Sequence, residues 1–193
     1  MRALARSPLS ILVSAVWGYA EATRFWLVPD IVLGWIALNR SRFAALSLVA
    51  ATMGAIVGGV RMHRRAAIEY GRLTQIPGIS DAMLADARDK FAARGWAAVV
   101  RAPLDGIPYK VFATESALAG RPLDELVAWT PIARGWRFYL TYVVAGMIGR
   151  ALGHFDGRSE GGSLAAWAGF WLVVYLRYFA RLNSRYSRAD TTR

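Results

Sequence analysis

Two segments of this sequence place ionisable side chains inside stretches that are otherwise apolar. Residues 9–38 hold two acids and one arginine near their middle, and residues 96–120 hold an arginine and a lysine. A guanidinium stays charged at any relevant pH and binds phosphate through two parallel hydrogen bonds, whereas a carboxylate in an apolar setting can take up a proton. These residue types favour anion binding combined with proton uptake. They are Glu21, Arg24, Asp30, Arg101 and Lys110.

Other kinds of chemistry lack the residues that they need. The chain has no cysteine and two histidines, His63 and His154, so thiolate nucleophiles and thiolate zinc sites are excluded. Paired carboxylates could serve acid–base catalysis, but no nucleophile, metal set or phosphate-binding glycine loop accompanies Glu21 and Asp30. We therefore expect neither an enzyme nor a bound cofactor or metal ion.

The overall composition indicates a membrane protein. Of the 193 residues, 55% are hydrophobic and 19% are charged, whereas soluble domains carry about 25% charged residues. The formal net charge is +11, but the basic residues cluster between apolar stretches, as they do in membrane loops. A DNA-binding domain would instead place them on one exposed face. We expect anionic lipid, and not nucleic acid, as the partner of these charges.

Both charged segments are predicted to form re-entrant helical hairpins. One straight span needs about 20 apolar residues and disfavours a central charge by roughly 2.5–3.5 kcal/mol. Residues 9–38 divide near 21–30 into two arms of about 10–12 residues, each half a bilayer long as a helix. Residues 96–120 are interrupted in the same way. The residues expected to break the helices are Pro29, Pro103, Gly106, Pro108 and Gly120.

The rest of the chain supplies spans and connectors within one membrane domain, residues 1–193. Gly54 and Gly58 have the small-xxx-small spacing that lets two helices approach closely. The first residues imitate a secretory signal, but apolar character resumes at Phe25, so we interpret them as part of the first hairpin. The other predicted elements are a transmembrane helix over 43–60, an amphipathic or solvated connector over 66–95, transmembrane helices over 133–153 and 164–182, and a basic tail over 183–193. The fold class is therefore an all-α integral membrane protein.

The order of these elements predicts an inverted internal repeat. With a shift of 79 residues, residues 27–32 align with residues 106–111, although few positions are identical. Each hairpin is followed by a span with two glycines, Gly54 and Gly58 in one and Gly146 and Gly149 in the other. Broken helices that meet at the bilayer midplane recur in secondary transporters. The restricted composition of membrane sequences could also produce this likeness, and the charges leave the orientation open.

A succession of short motifs resembles a known family. An acid-bearing broken hairpin is followed by a Gly-x-x-x-Gly span, an amphipathic helix and a second hairpin rich in proline and glycine. Over residues 15–155 this order resembles the DedA, or VTT (SNARE-associated), superfamily, and is most similar to its small YqaA-like branch. Two departures are the lone Pro29, where the family has Pro-x-Pro, and Arg101-Ala102-Pro103-Leu104-Asp105-Gly106, where it has Arg-Phe-x-Pro-Gly. The matching runs are Glu21 to Pro29-Asp30, Tyr70-Gly71-Arg72, Phe91 to Gly95, Arg101-x-Pro103-x-x-Gly106-x-Pro108, Ala119-Gly120 and Arg134-Gly135-Trp136-Arg137-Phe138.

The resemblance implies lipid translocation, because family members include candidate flippases for undecaprenyl phosphate and phospholipids. It also implies that the acids and arginines of the hairpins are functional and that protons or sodium ions are the coupling ions. We expect Arg101 to bind the phosphate and to exchange partners with Glu21. The expected supporting cations are Arg24 and Lys110, with Arg134 and Arg137 at the interface. The expected proton-coupling acids are Glu21, Asp30, Asp105 and Glu115.

Structural roles for the same residues remain open alternatives. Glu21 and Arg101 could form a static buried pair, and Asp30 and Asp105 could cap helices. Glu115 could face a polar bundle interior. The protein could also be a membrane assembly factor whose glycine faces hold partners, including copies of itself. An open polar cavity at the hairpin tips would favour the carrier, and we expect a bacterial inner membrane as its location.

Overall fold

The computed structural model describes residues 2–152 and 160–190, and all regular elements in these two ranges are α-helices. The predicted all-α class is therefore confirmed. Among the described residues, two helices are long and apolar enough to cross a membrane, α4 and the Gly161–Tyr186 part of α10. The helices are α1 (Arg2–Ala5), α2 (Leu9–Thr23), α3 (Asp30–Leu38), α4 (Ala44–Arg64), α5 (Ala66–Leu73), α6 (Asp81–Arg94), α7 (Trp96–Asp105), α8 (Tyr109–Leu118), α9 (Leu123–Leu152) and α10 (Glu160–Asp190).

The first charged segment is broken, as its sequence predicts. Helices α2 and α3 contain 15 and 9 residues, so their lengths of about 22 and 14 Å are shorter than a bilayer core of about 30 Å. Residues 24–29 separate them, and we call these residues the first break. Helix α3 starts directly after Pro29, whose ring fixes φ at a helical value and leaves no N–H to satisfy.

Helix α4 packs along α2 through small residues. A Cβ atom on Gly18 would collide with the carbonyl oxygen of Ala51, and one on Gly54 would collide with that of Ala15. A Cβ atom on Gly58 would lie 2.7 Å from the Ala22 side chain. The two backbones thus touch where the glycine spacing predicts close approach, and these glycine faces are occupied within the chain.

The second charged segment is also broken, at residues 106–108, which we call the second break. Gly106 ends α7 in the left-handed region with a φ of 76°, and Pro108 precedes the first residue of α8. Gly120 follows the end of α8 with a φ of 70°. Pro103 was expected to break the helix, but it lies inside α7. A proline removes one helical hydrogen bond, which this short helix tolerates, so Gly106 ends it instead.

The connector forms two helices, α5 and α6. The Ser80 hydroxyl caps α6 by accepting a hydrogen bond from the backbone N–H of Met83 at 3.3 Å. Burial raises the pKa of the Asp86 carboxyl, but hydrogen bonds from Lys90 and Tyr186 outweigh burial and hold that pKa below its ordinary value. The bond from Tyr186 fastens the end of α10 to the connector.

The last two helices are longer than the predicted spans. Helix α9 begins at Leu123 instead of residue 133, and Pro131 lies inside it. Helix α10 continues to Asp190, so the predicted tail is helical over residues 183–190. Residues 191–193 of that tail lie outside the described ranges, as do residues 153–159 between the two helices.

The two broken segments pack crosswise. Helix α3, the second arm of the first segment, lies against α9, and α8, the second arm of the second segment, lies against α4. Each arm therefore contacts the long helix that follows the other segment. Val111, Phe112 and Ala113 of α8 are fully buried at the centre. This arrangement brings both breaks to one place, beside α9 and α10.

Candidate functional site

A cavity of about 380 Å³ lies where the two breaks meet α9 and α10. The turn over residues 76–79 completes its wall. We call it the charged cavity, because it is lined by five charged side chains, of which four are buried and that of Arg137 is 19% exposed. The five are Glu21, Asp30, Lys110, Arg134 and Arg137.

The deepest ion pair joins α2 to α9. Arg134 donates through Nη2 to Oε2 of Glu21, and both side chains are at most 5% exposed. The guanidinium carbon of Arg134 also lies 4.8 Å from the centroid of the Phe138 ring, which adds a cation–π contact. Each charge of such a buried pair stabilises the other, because removing one partner leaves an uncompensated buried charge.

A second pair joins the start of α3 to α9. Arg137 donates to Asp30 through Nε at 3.2 Å and also through Nη2, so the pair is bidentate. Thr141 donates its hydroxyl to the same carboxylate at 2.6 Å. Asp30 is the first residue of α3, and its carboxylate accepts these hydrogen bonds from α9. The positive end of the α3 dipole favours the same ionised carboxylate.

Lys110 links the two breaks directly. This side chain starts from α8, just after the second break, and its Nζ donates to the carbonyl oxygen of Phe25 in the first break at 2.7 Å. The residue is 1% exposed. Its ammonium therefore satisfies a carbonyl that no helix could satisfy, and it adds a third cation to the cavity wall.

Two hydrogen-bond donors in this wall have no acceptor. Nε of Arg134 and Nε1 of Trp171 are buried and have no hydrogen-bond partner among the described residues. Both side chains line the charged cavity. Each group can only donate, and a buried donor without a partner costs about 1–3 kcal/mol. Because three cations also face two acids here, the cavity is suited to an anionic ligand rich in acceptor oxygens.

Other residues lining the cavity are apolar and exposed. Leu104 of α7 is 78% exposed, Leu140 of α9 is 53% exposed and Val174 of α10 is 37% exposed. Lining residues that are exposed must lie at the opening. The charged cavity therefore has a polar interior and an apolar mouth.

The expected pairing of Glu21 with Arg101 is wrong. Arg101 is exposed on α7 and does not line the charged cavity, and Arg134 binds Glu21 instead. The buried face of helix α7 is the one that carries Val99 and Ala102. Successive helical residues are rotated by about 100°, so Arg101, one residue before Ala102, points away from the core.

Three other predicted residues lie away from the charged cavity. Arg24, Asp105 and Glu115 do not line it, and each forms an ion pair elsewhere. Their partners, at 3.4, 3.5 and 3.5 Å, are Glu69, Lys90 and Arg88. Of the four acids expected to exchange protons, Glu21 and Asp30 are thus the two that face the charged cavity.

The sequence analysis missed the part that α10 plays in this site. Trp171 lines the cavity, Tyr175 accepts from Val28 N–H at 2.8 Å, and Tyr178 donates to the Gly106 carbonyl at 2.9 Å. A signal was present, because aromatic residues at Trp167, Trp171, Tyr175 and Tyr178 follow the spacing of one helical face. That stripe was interpreted only as part of an apolar span.

Metal ligands are not assembled in the described ranges, where no group of three His, Asp or Glu side chains could hold an ion. Comparison of the chain with family models, with curated proteins and with solved structures gave no match. The resemblance to the DedA superfamily therefore stays a prediction, and the cavity itself carries the functional argument.

Proposed function

We propose that this chain is an integral membrane protein of the DedA type that carries an anionic lipid headgroup across the bilayer. The headgroup is a polyprenyl phosphate or a phospholipid phosphate, bound in the charged cavity while the hydrocarbon chains stay outside. The membrane is the bacterial inner membrane, and the two broken segments are re-entrant hairpins related by an inverted repeat.

One observation carries the proposal, namely the combination of unpaired donors inside the cavity with exposed apolar residues at its mouth. An amphiphile matches both parts. Its phosphate oxygens would accept from Arg134 Nε and Trp171 Nε1, which have no other acceptor among the described residues. Its chains would pass Leu104 and Leu140, which are 78% and 53% exposed. A small soluble anion would leave this apolar mouth unused.

Exchange of ion-pair partners provides the mechanism. A phosphate that enters the cavity competes with Glu21 for the Arg134 guanidinium, since both present oxygens to the same donors. Glu21 then loses its counter-charge in a buried setting, which favours uptake of a proton. Loss of that proton would restore the Glu21–Arg134 pair and release the phosphate. Lys110 and Arg137 hold the two breaks in place during this exchange.

The assembly alternative loses one of its two glycine faces, because the face of α4 proposed for partner binding is already used. Gly18, Gly54 and Gly58 pack within the chain, between α2 and α4. Of the second predicted pair, Gly149 packs against Leu38, whereas a Cβ atom on Gly146 would meet no described atom within 4 Å, so an assembly role would have to use the Gly146 side of α9.

The test compares Trp171, whose buried Nε1 lines the charged cavity without a partner among the described residues, with a second tryptophan outside the cavity. Trp35 Nε1 is also buried without a partner, but Trp35 does not line the charged cavity. We expect Trp171→Phe to slow transbilayer movement of a fluorescent lipid phosphate in reconstituted vesicles about tenfold, as the loss of one charge-assisted hydrogen bond predicts. We expect Trp35→Phe to transport at the wild-type rate.

The assay uses polyprenyl phosphate in one arm and phosphatidylethanolamine in the other, each with and without a pH gradient. A difference between the arms identifies the preferred headgroup, and a response to the gradient supports proton coupling. Equal transport by Trp171→Phe, Trp35→Phe and wild type would rule out a headgroup bound by the Trp171 donor. No transport of either lipid by the wild type would favour the assembly role.

A further inference from the structure

A second cavity, of about 220 Å³, lies beside the charged cavity. It is formed by the end of α2, one residue of α4, the end of α5 and the turn that follows. We call it the basic cavity. Ile76 and Pro77 line both cavities, so one thin wall separates them. The polar and charged residues that line the basic cavity are Thr23, Arg24, Glu69, Arg72 and Gln75.

The only acid of the basic cavity is shared by two arginines. Glu69 is 2% exposed, and its two carboxylate oxygens lie 3.4 Å from Nη2 of Arg24 and 3.3 Å from Nη2 of Arg61. Both distances are longer than the 2.7–2.9 Å of a strong charge-assisted hydrogen bond. Each guanidinium therefore keeps donors that Glu69 does not use.

Arg72 adds a third cation with no acid of its own. It is exposed, lines the basic cavity and has no ion-pair partner among the described residues. Helices α2 and α5 end at Thr23 and Leu73, and each carboxyl end adds about half a negative charge. Arg61 does not line the cavity, but its guanidinium already pairs with Glu69, so Glu69 and the two helix ends neutralise the lining pair Arg24 and Arg72 only in part.

We propose that the basic cavity is a second binding site, which takes a phosphate group held by Arg24 and Arg72. The inference does not need transport to be correct. Guanidinium groups bind phosphate in a bidentate manner, and two of them converging on one cavity give such a site its selectivity. The phosphate could belong to a lipid headgroup or be free in solution. Because the wall of Ile76 and Pro77 adjoins the charged cavity, a headgroup bound here would stand next to the proposed carrier site.

The experiment removes two arginines from the cavity and, as a control, two arginines near it. Arg24→Gln/Arg72→Gln changes the basic cavity, whereas Arg64→Gln/Arg65→Gln removes the same charge from exposed residues that line neither cavity. Arg72→Gln alone serves as a variant that breaks no ion pair and so preserves the fold. In one arm, ³¹P line broadening measures binding of inorganic phosphate to the full chain in detergent, and each variant is also made with Trp171→Phe to separate binding in the charged cavity from binding in the basic cavity. In the other, spin-labelled phosphatidic acid and phosphatidylcholine are compared in vesicles.

We expect Arg24→Gln/Arg72→Gln to weaken phosphate binding about tenfold or more, and Arg72→Gln to produce part of that loss. The control pair should bind as the wild type does. Binding of inorganic phosphate identifies a general phosphate site, and preference for phosphatidic acid without it identifies a headgroup site. Equal loss in the control pair, or no loss in Arg24→Gln/Arg72→Gln, would overturn the proposal. Loss of transport in Trp171→Phe with intact phosphate binding in the basic cavity would support both the carrier and the second site, since the two cavities are separate.

Discussion

The first and second breaks interrupt similar apolar segments, but they are built in different ways. The second break is short and local, because Gly106 adopts a left-handed conformation and the Ile107 N–H returns to the Ala102 carbonyl at 3.2 Å. The first break contains no glycine, and side chains from other helices satisfy its backbone. Trp17 donates to the Leu27 carbonyl at 3.1 Å, and Tyr175 and Lys110 serve two further groups.

The acids beside the two breaks follow the same division. The acids beside the first break, Glu21 and Asp30, are buried and pair with arginines of α9. Asp105, beside the second break, is 28% exposed and pairs with Lys90. The second break is closed mainly by its own backbone and receives one outside hydrogen bond, from Tyr178 to the Gly106 carbonyl. The first break is completed by several distant side chains, so it changes when those side chains change. The first break is therefore the part of the molecule that can respond to a ligand.

The largest predicted difference between the breaks concerns their acids. Glu21→Ala should lower the free energy of unfolding by about 3–5 kcal/mol, because it leaves the Arg134 guanidinium buried without a counter-charge. Asp105→Ala should cost about 0.2–1 kcal/mol, as for other partly exposed ion pairs. Thermal unfolding of the purified variants in detergent measures both. Similar costs for the two variants would mean that burial does not distinguish the breaks.

A smaller difference is expected from the two tyrosines of α10. Tyr175→Phe leaves the Val28 N–H of the first break without its partner, and Tyr178→Phe leaves the Gly106 carbonyl of the second break with one hydrogen bond fewer. An orphaned N–H is tolerated less well than an under-satisfied carbonyl, so Tyr175→Phe should cost about 1–3 kcal/mol and Tyr178→Phe about 0.5–1.5 kcal/mol. The same unfolding measurement applies, and the reverse order would contradict this account of the breaks.

The smallest predicted difference between the breaks comes from the backbone. Gly106→Ala should cost about 1–2 kcal/mol, because an alanine at a φ of 76° is strained. Pro29→Ala should cost about 0.4–1 kcal/mol, since the first break has ordinary φ at this position and loses only the rigidity of the ring. Chemical unfolding with a common denaturant measures both changes. A larger cost for Pro29→Ala would indicate that the first break also depends on local geometry.

Much of the element order was predictable. The segments over 9–38 and 96–120 are broken as expected, and the glycines of α4 pack closely as their spacing indicates. Charges, prolines and glycines in apolar runs act over a few residues, so their effect is visible locally. The prediction that Pro103 breaks the helix was wrong for a related reason. Gly106, three residues later, adopts the left-handed conformation that ends a helix more easily.

The site was only partly predictable. Arg134 and Arg137 were expected at the interface, but they line the charged cavity and bind Glu21 and Asp30, while Arg101 faces outward. Which face of α7 is buried depends on how it packs, and one step along a helix moves a side chain by about 100°. Sequence could rank the ionisable residues by chemical type, but it could not assign their partners.

The sequence by itself determined that this chain is helical, that two apolar segments must break and that charges accompany those breaks, because each of these follows from residues close together in the chain. The tertiary structure alone decided that Glu21 meets Arg134, 113 residues away, and that α10 completes the wall. Partner choice across such a distance is fixed by how helices pack and rotate against one another, and no local pattern encodes the result.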